Sequence, residues 1–69
     1  MNIIGPQVRA LRESKKLTQK EFAERCQTIG FEISRGTLAK IEAQVRQVTD
    51  KEVVWLAAAL KTSIQSLFR

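Results

Sequence analysis

Histidine is absent from this sequence of 69 residues, and cysteine occurs once, at Cys26. A single thiol cannot form an internal disulfide, which predicts an intracellular chain. Without histidine we expect no metal site, and catalysis by a histidine base is excluded. No nucleophile stands beside a base, so the sequence predicts neither an enzyme nor a cofactor. Cys26 itself is interpreted as a small buried apolar side chain.

Long apolar runs are missing as well. The longest, VVWLAAAL at residues 53–60, is far too short to span a bilayer, and no signal peptide is visible. Basic and apolar residues do not segregate into one amphipathic helix of the kind that lies on a membrane. We therefore expect a soluble cytoplasmic protein with no membrane partner.

Positive charge is what the sequence has in excess. Lysine and arginine total 12 against 7 acidic residues, which gives a net charge of +5 and a pI of about 10.0. Charge alone favours an anionic partner, either nucleic acid or a membrane surface. The length allows one domain, residues 1–69, and an apolar content of 43% suits a small globular core.

Apolar residues recur at spacings of three and four, which predicts an all-α fold of five short helices. Thr18 with Glu21 and Thr49 with Glu52 have the spacing of capping boxes, so they mark the starts of helices two and four. The other three helices are predicted to start near Gly5-Pro6, at Ser34 and after Thr62-Ser63. The inward residues are predicted to be Ile4, Val8 and Leu11; Phe22, Ala23 and Cys26; Leu38, Ile41 and Val45; Val53, Leu56, Ala57 and Leu60; and Ile64, Leu67 and Phe68.

Three segments carry a family resemblance: LTQKEFA at residues 17–23, ISRGTLAKIE at 33–42 and LAAAL at 56–60. Their order and spacing resemble the lambda-repressor-like, Cro-type helix-turn-helix family from about Ile4 to Phe68. The resemblance implies a five-helix DNA-binding domain of bacterial or phage type. Helices two and three would form the helix-turn-helix, and helix three, about residues 34–44, would read the major groove of double-stranded DNA.

The turn between helices two and three departs from the family. Where the family usually has a single glycine, this chain has six residues, Gln27 to Glu32. Ile29 and Phe31 are apolar, which predicts that the turn packs against the domain. Because the turn is longer than in the family, the resemblance does not determine the angle of helix three relative to the rest of the domain.

The outward side of helix three is predicted to be nearly bare. Opposite the inward stripe lie small or basic residues: Gly36, Ala39, Lys40 and Ala43, flanked by Arg35 and Thr37. Small residues let a helix approach base edges closely, arginine suits guanine, and an alanine methyl suits the thymine methyl. The alternative is a solvated, alanine-rich helix, although glycine costs up to about 1 kcal/mol inside a helix.

The resemblance also implies contacts to the DNA backbone. Gln19 begins helix two, where N–H groups and the helix dipole favour a phosphate; its alternative role is a tolerated polar residue. Lysine side chains near the start of helix two either contact a phosphate or contribute only to the positive potential around it. The predicted phosphate contacts are Gln19, Lys20, Ser34 and Arg46.

Glu42 lies beside the inward stripe of helix three, and Arg12 has the matching position on helix one. A buried carboxylate without a partner is costly, and the family commonly pairs these two positions. We therefore predict an Arg12–Glu42 ion pair that fixes helix one against helix three.

Helix four is apolar almost all round, and Val54, Trp55, Ala58 and Ala59 are predicted to point outward. The functional interpretation is a homodimer through Val54, Trp55 and Ala58, bound to an approximate palindrome. The alternative is that helix five or residues 1–4 cover Trp55 within one chain.

The sequence thus predicts a sequence-specific DNA-binding regulator, most simply a transcriptional repressor. A second hypothesis stays open: a protein–protein module, such as an antitoxin or adaptor, that holds a partner on the Trp55 surface.

Overall fold

The structure is a computed structural model that describes residues 3–68. Its elements, in order, are α1 Gly5–Ser14, α2 Gln19–Thr28, α3 Arg35–Glu42, α4 Asp50–Leu60 and a 3₁₀ helix Ile64–Phe68. No strand occurs among the described residues, and the predicted all-α class is confirmed. The predicted fifth helix is the 3₁₀ helix, because five residues are too few for a stable α-helix and favour tighter bonding.

Side-chain caps fix the starts of α2, α3 and α4, as the sequence predicts. The Thr18 hydroxyl accepts from the Glu21 backbone at 3.1 Å, and the Glu21 carboxylate accepts from the Thr18 N–H at 2.9 Å. Thr49 and Glu52 repeat this capping box before α4. Ser34 accepts a backbone N–H at the start of α3. Each cap satisfies donors that a helix end otherwise leaves unpaired.

All four α-helices end in the same way, with one residue in the left-handed conformation. The next N–H then bonds to the carbonyl five residues back, which defines a Schellman motif. The left-handed residues are Lys16, Gly30, Gln44 and Lys61, with φ of 58°, 103°, 64° and 55°. The closing bonds are Leu17 to Arg12, Phe31 to Cys26, Val45 to Lys40 and Thr62 to Ala57, at 2.9–3.2 Å. Short, closed ends let the chain reverse direction repeatedly within 69 residues.

These helix ends correct two predicted boundaries. The α2 helix continues to Thr28, so the first two residues of the predicted 27–32 turn belong to its last turn. The α3 helix ends at Glu42 rather than near 44, because Gln44 turns left-handed. Val45 therefore leaves the helix and is 76% exposed, so its predicted inward position is wrong.

One hydrophobic core lies between the helices and contains most of the predicted inward residues. The predicted inward positions of Ile64 and Phe68 are wrong, because they are 43% and 52% exposed and Leu67 is the buried residue of the 3₁₀ helix. Phe22, Leu38 and Leu56 have no exposed surface. The core residues are Ile4, Val8, Phe22, Ala23, Cys26, Phe31, Ile33, Leu38, Ile41, Leu56, Ala57, Ala59, Leu60 and Leu67. Burial raises the pKa of the Cys26 thiol to about 11, which suits an inert apolar role.

Ala59 is also buried, so its predicted outward position is wrong. Only 1% of it is exposed, and Arg25 of α2 donates to its carbonyl oxygen at 3.3 Å. The cause is that α4 packs against α1, α2 and the 3₁₀ helix together, which covers more of its circumference than one stripe.

Gly5 lies where the start of α1 meets the end of α3. A Cβ added there would collide with the backbone carbonyl oxygen of Ile41 and lie 3.0 Å from that of Glu42. Backbone atoms cannot move aside as a flexible side chain can. The absence of a side chain at Gly5 is therefore what allows α1 and α3 to approach this closely.

We predict that Gly5→Ala lowers the free energy of unfolding by about 1–3 kcal/mol, because it overpacks this contact. Urea titration followed by circular dichroism measures the change. Gly36→Ala in α3 is the matched control, since its Cβ would meet only the Ser34 hydroxyl, at 3.8 Å. That variant should be neutral or stabilised; equal losses in both would contradict the role of the close approach.

Candidate nucleic-acid interface

The outward face of α3 is built from one exposed arginine, one exposed lysine and very small side chains. Arg35, Gly36 and Lys40 are exposed, and Ala39 is half-buried beside them. Thr37 is also half-buried, and its hydroxyl lies 3.1 Å from that of Ser34. The predicted groove-facing residues therefore lie together on one side of a single helix.

Gly36 has no structural requirement in this fold. Its φ is not positive, and space is open around a Cβ apart from the Ser34 hydroxyl. Any other residue would favour the helix more, except proline. The one effect of glycine here is that no side chain projects from the outward face at this position.

The connection into α3 is anchored at several points. Gln27 of α2 donates through Nε2 to the Ile33 carbonyl at 2.7 Å, and the Ile33 N–H bonds to the Phe31 carbonyl at 3.0 Å. Phe31 and Ile33 are buried, whereas Ile29 is 40% exposed. The long turn therefore packs against the domain, mainly through Phe31 and Ile33.

Arg12, Glu42 and Gln19 form one network at the junction of α1, α2 and α3. Arg12 donates to Glu42 from Nε at 2.7 Å and from Nη2 at 3.1 Å. Gln19 donates from Nε2 to the same carboxylate at 3.1 Å. Arg12 also donates to the Leu17 carbonyl at 2.6 Å. The hydrogen bond to Glu42 raises the pKa of Arg12, so the guanidinium stays charged.

Gln19, predicted to touch phosphate, therefore has a partner within the chain. Its amide nitrogen carries two N–H groups, and the bond to Glu42 occupies one. Exposed Lys20 follows in the first turn of α2. The bond to Glu42 fixes the position of Gln19 at the positive end of α2.

Arg46, also predicted to touch phosphate, turns its guanidinium to Glu52 instead. Two parallel bonds of 3.0 and 2.8 Å join them, and Arg46 also donates to the Gln47 carbonyl. The hydrogen bond between them raises the pKa of Arg46 and lowers that of Glu52. This pair ties the loop after α3 to the start of α4.

Trp55 is half-buried rather than outward, which the helical wheel did not predict. Its ring stacks on Phe31 with centroids 5.0 Å apart and planes 13° apart. The Lys51 ammonium lies over the ring, 4.9 Å from its centroid. Among the described residues it is Phe31, and not the predicted helix five, that stacks on this ring; Met1 and Asn2 of the other predicted cover lie outside the described residues.

The arrangement is that of a helix-turn-helix, in which α2 and α3 hold a slim, basic helix face outward. Independently, the helix-turn-helix family model matches residues 8–67. The chain belongs to the Cro/C1-type helix-turn-helix family. Members of this family are DNA-binding transcription regulators, so double-stranded DNA is the implied partner. No curated protein and no solved structure gave a match.

Other classes of site find little support in this helix-turn-helix protein. Within residues 3–68, no group of three or more Cys, Asp or Glu residues is placed to hold a metal ion. In the same range, no helix has both the length and the apolar character needed to cross a membrane.

The sequence predicted that Phe31 packs against the domain, but not that it stacks on Trp55, that Gln27 bonds to Ile33 or that Lys51 lies over the Trp55 ring. Gln27 and Phe31 lie in a segment with no periodic signal, and Phe31 meets Trp55 across 24 residues of chain. Lys51 could have been found, because it precedes Trp55 by four residues on one helix.

We predict that replacing one partner of the Arg12–Glu42 pair destabilises the fold more than replacing both partners together. Arg12→Met or Glu42→Leu alone should lower the free energy of unfolding by about 3–5 kcal/mol, because each leaves a buried group uncompensated. The double variant should lose less than either. Urea titration at neutral pH measures all three.

Arg9→Met on the same helix is the control. Arg9 pairs with Glu13 at 3.3 Å, but the two side chains are 63% and 55% exposed. Arg9→Met should lower the free energy of unfolding by no more than about 0.5 kcal/mol. Strictly additive losses at Arg12 and Glu42 would contradict the coupling.

Proposed function

We propose that this protein is a sequence-specific transcriptional repressor that inserts α3 into the major groove of its operator. The observation that carries the proposal is Gly36, a glycine in the first turn of α3 that packing and φ leave unexplained. A groove-bound helix supplies the missing reason, because bulk at that position would hold the helix away from the bases. Occupying a promoter needs no further activity, which makes repression the simplest mode.

The base contacts are assigned by chemistry along the exposed face. Arg35 suits a bidentate contact to guanine, and the Ala39 methyl suits a thymine methyl. Lys40 reaches a base or a phosphate, and Thr37 offers a hydroxyl near the helix start. Arg35 lies at the N-terminal end of α3, the part of a recognition helix that contacts base edges.

The phosphate contacts lie mainly at the start of α2. Gln19 has one amide N–H left for a phosphate while the other remains on Glu42, and Lys20 adds charge beside it. Ser34 offers its hydroxyl at the start of α3. Arg46 can contact a phosphate only if it gives up its bonds to Glu52. Its contribution to the DNA-binding free energy should therefore be the smallest of these residues.

We predict that Arg35→Ala and Gly36→Leu each weaken operator binding while the fold persists. Arg35→Ala should cost about 1–3 kcal/mol and relax the preference at one base pair. Gly36→Leu should reduce affinity at least tenfold, about 1.4 kcal/mol, through bulk alone. A preferred site is first selected from random DNA and from the region upstream of the gene. Fluorescence anisotropy at two salt concentrations then measures binding to this site and to scrambled DNA.

Ala10→Leu is the matched control, since Ala10 is exposed on α1 and gains the same bulk. Circular dichroism checks that all three variants are folded. Binding that is equal on both DNAs and unchanged by Arg35→Ala and Gly36→Leu would refute base reading by α3. Only attraction between charges would then remain.

We further propose that the protein dimerises through α4 and the 3₁₀ helix. Val54, Ile64 and Phe68 are 51%, 43% and 52% exposed and line one apolar groove with Asp50 and Val53. Exposed Ala58 follows Val54 by four residues on the same side of α4. Trp55, the predicted centre of this interface, is already stacked on Phe31. The dimer therefore centres on Val54 and Phe68, with Trp55 at its margin.

We predict that Val54→Asp abolishes self-association, because it places a charge in the apolar patch. Sedimentation equilibrium of wild type and variant at high micromolar concentration measures it. Ile29→Asp is the control at an exposed isoleucine outside the groove, and it should still dimerise. A monomeric wild type at that concentration would exclude the dimer and, with it, an operator of two half-sites about one helical turn apart.

The alternative of a protein–protein module that holds a partner on Trp55 has less support. Phe31 already stacks on that ring, and Lys51 lies over it. A partner would have to bind mainly elsewhere.

A further inference from the structure

The only tryptophan of the chain forms a ring stack with a residue of the unusual turn. Phe31 is 4% exposed, Trp55 is half-buried, and the rings lie nearly parallel with centroids 5.0 Å apart. The stack joins the segment before α3 to α4. From this contact we propose that the Phe31–Trp55 stack sets the angle of α3 and thereby the DNA sequence specificity, an inference that rests on the proposed function.

Phe31 is placed to control the N-terminal end of α3. Only Glu32 and Ile33 separate it from the cap residue Ser34. The Ile33 N–H bonds to the Phe31 carbonyl, so this short link is bent and held rather than extended. A displacement of the Phe31 ring must therefore pass to Ser34 and to Arg35 beside it.

The two ends of α3 are held by different partners. Its C-terminal end lies against Gly5 and carries Glu42, which is bonded to Arg12, so that end is fixed to α1. The body of the helix packs on α1 and α2. The N-terminal end has the Ser34 cap, the Gln27 bond to the Ile33 carbonyl and, through Phe31, the link to α4. With the C-terminal end fixed, the Gln27 bond and the stack together limit how far the other end moves, and of these two contacts the stack is the one that links it to α4.

Trp55 is a firm anchor for that link. It lies on α4 directly before Leu56, which is fully buried in the core. Lys51, one turn earlier, lies 4.9 Å from its ring centroid and adds a cation–π contact. Aromatic pairs also favour particular mutual orientations, offset-stacked or edge-to-face, whereas aliphatic packing has no such directional preference. The stack therefore specifies an angle as well as filling space.

An angular constraint matters most for base contacts. A bidentate arginine–guanine contact needs fixed geometry, whereas a lysine or a helix terminus near a phosphate tolerates displacement. Loosening the N-terminal end of α3 should therefore reduce discrimination between DNA sequences more than it reduces affinity for arbitrary DNA.

The test compares Phe31→Leu and Trp55→Leu with the conservative Trp55→Phe, which keeps a ring pair. Leu11→Ala is the control for packing loss, because half-buried Leu11 lies on α1 and packs on the core outside both the turn and the dimer groove. Anisotropy gives each variant's affinity for the selected site and for scrambled DNA, at a temperature where circular dichroism shows all to be folded. Phe31→Met replaces Phe31→Leu if the latter does not fold.

Both leucine variants should lower the ratio of the two affinities about tenfold, the worth of one bidentate base contact, with scrambled-DNA affinity within about twofold of wild type. Trp55→Phe should retain most of the ratio, and Leu11→Ala all of it. The double variant Phe31→Leu/Trp55→Leu should be no worse than either single one, because one contact is lost in each case.

Two outcomes overturn the inference, and they are distinct. If wild type is site-selective but both leucine variants keep its ratio, or lose no more of it than Leu11→Ala, the stack has no role in specificity. If wild type itself selects no site, the proposed function fails together with this inference.

Discussion

The buried pair of Arg12 and Glu42 is the contact on which the arrangement of the first three helices depends. Their side chains are only 9% and 3% exposed, and charges so far from water are tolerated only when every polar atom has a partner. Glu42 accepts from Arg12 and Gln19, and Arg12 also donates to the Leu17 carbonyl. Because these hydrogen-bonding partners come from α1, from the turn after it, from the start of α2 and from the end of α3, few other arrangements of the helices can satisfy them together.

This network also joins the two helices that are proposed to contact DNA. Glu42 belongs to α3, which carries the proposed groove face, and Gln19 begins α2, where a phosphate contact is proposed. The hydrogen bond between Gln19 and Glu42 fixes the distance from the proposed phosphate site to the groove face before any DNA binds. Recognition that depends on both contacts therefore needs little rearrangement on binding, which reduces its entropic cost.

Local sequence signals predicted the parts of the fold that local physics determines. The boxes at Thr18 and Thr49 contain their own partners within three residues, and the structure has both. Val45, Ala59 and Trp55 were misplaced for the opposite reason. A left-handed Gln44 ends α3 before Val45, neighbours on several sides cover Ala59, and Phe31 reaches Trp55 from a distant segment. A helical wheel represents none of these. In the candidate site, the helical wheel is enough to predict which residues of α3 are exposed. It cannot predict that Arg46 is bonded to Glu52, because Arg46 lies after the helix.

The three glycines show how the fold and the function can be separated at single positions. Gly5 is explained by packing, because backbone oxygens of α3 occupy the place of its side chain. Gly30 is explained by its φ of 103°, which closes α2. Gly36 is explained by neither, although glycine is a poor helix residue that any fold-stability argument would replace. A sequence that breaks a local rule without gain in the folded chain does so most often where another molecule must approach. At Gly36 that molecule must accommodate a closely approaching helix backbone. A nucleic-acid groove has the shape for this, and its phosphates complement the charges of Arg35 and Lys40 on either side of Gly36.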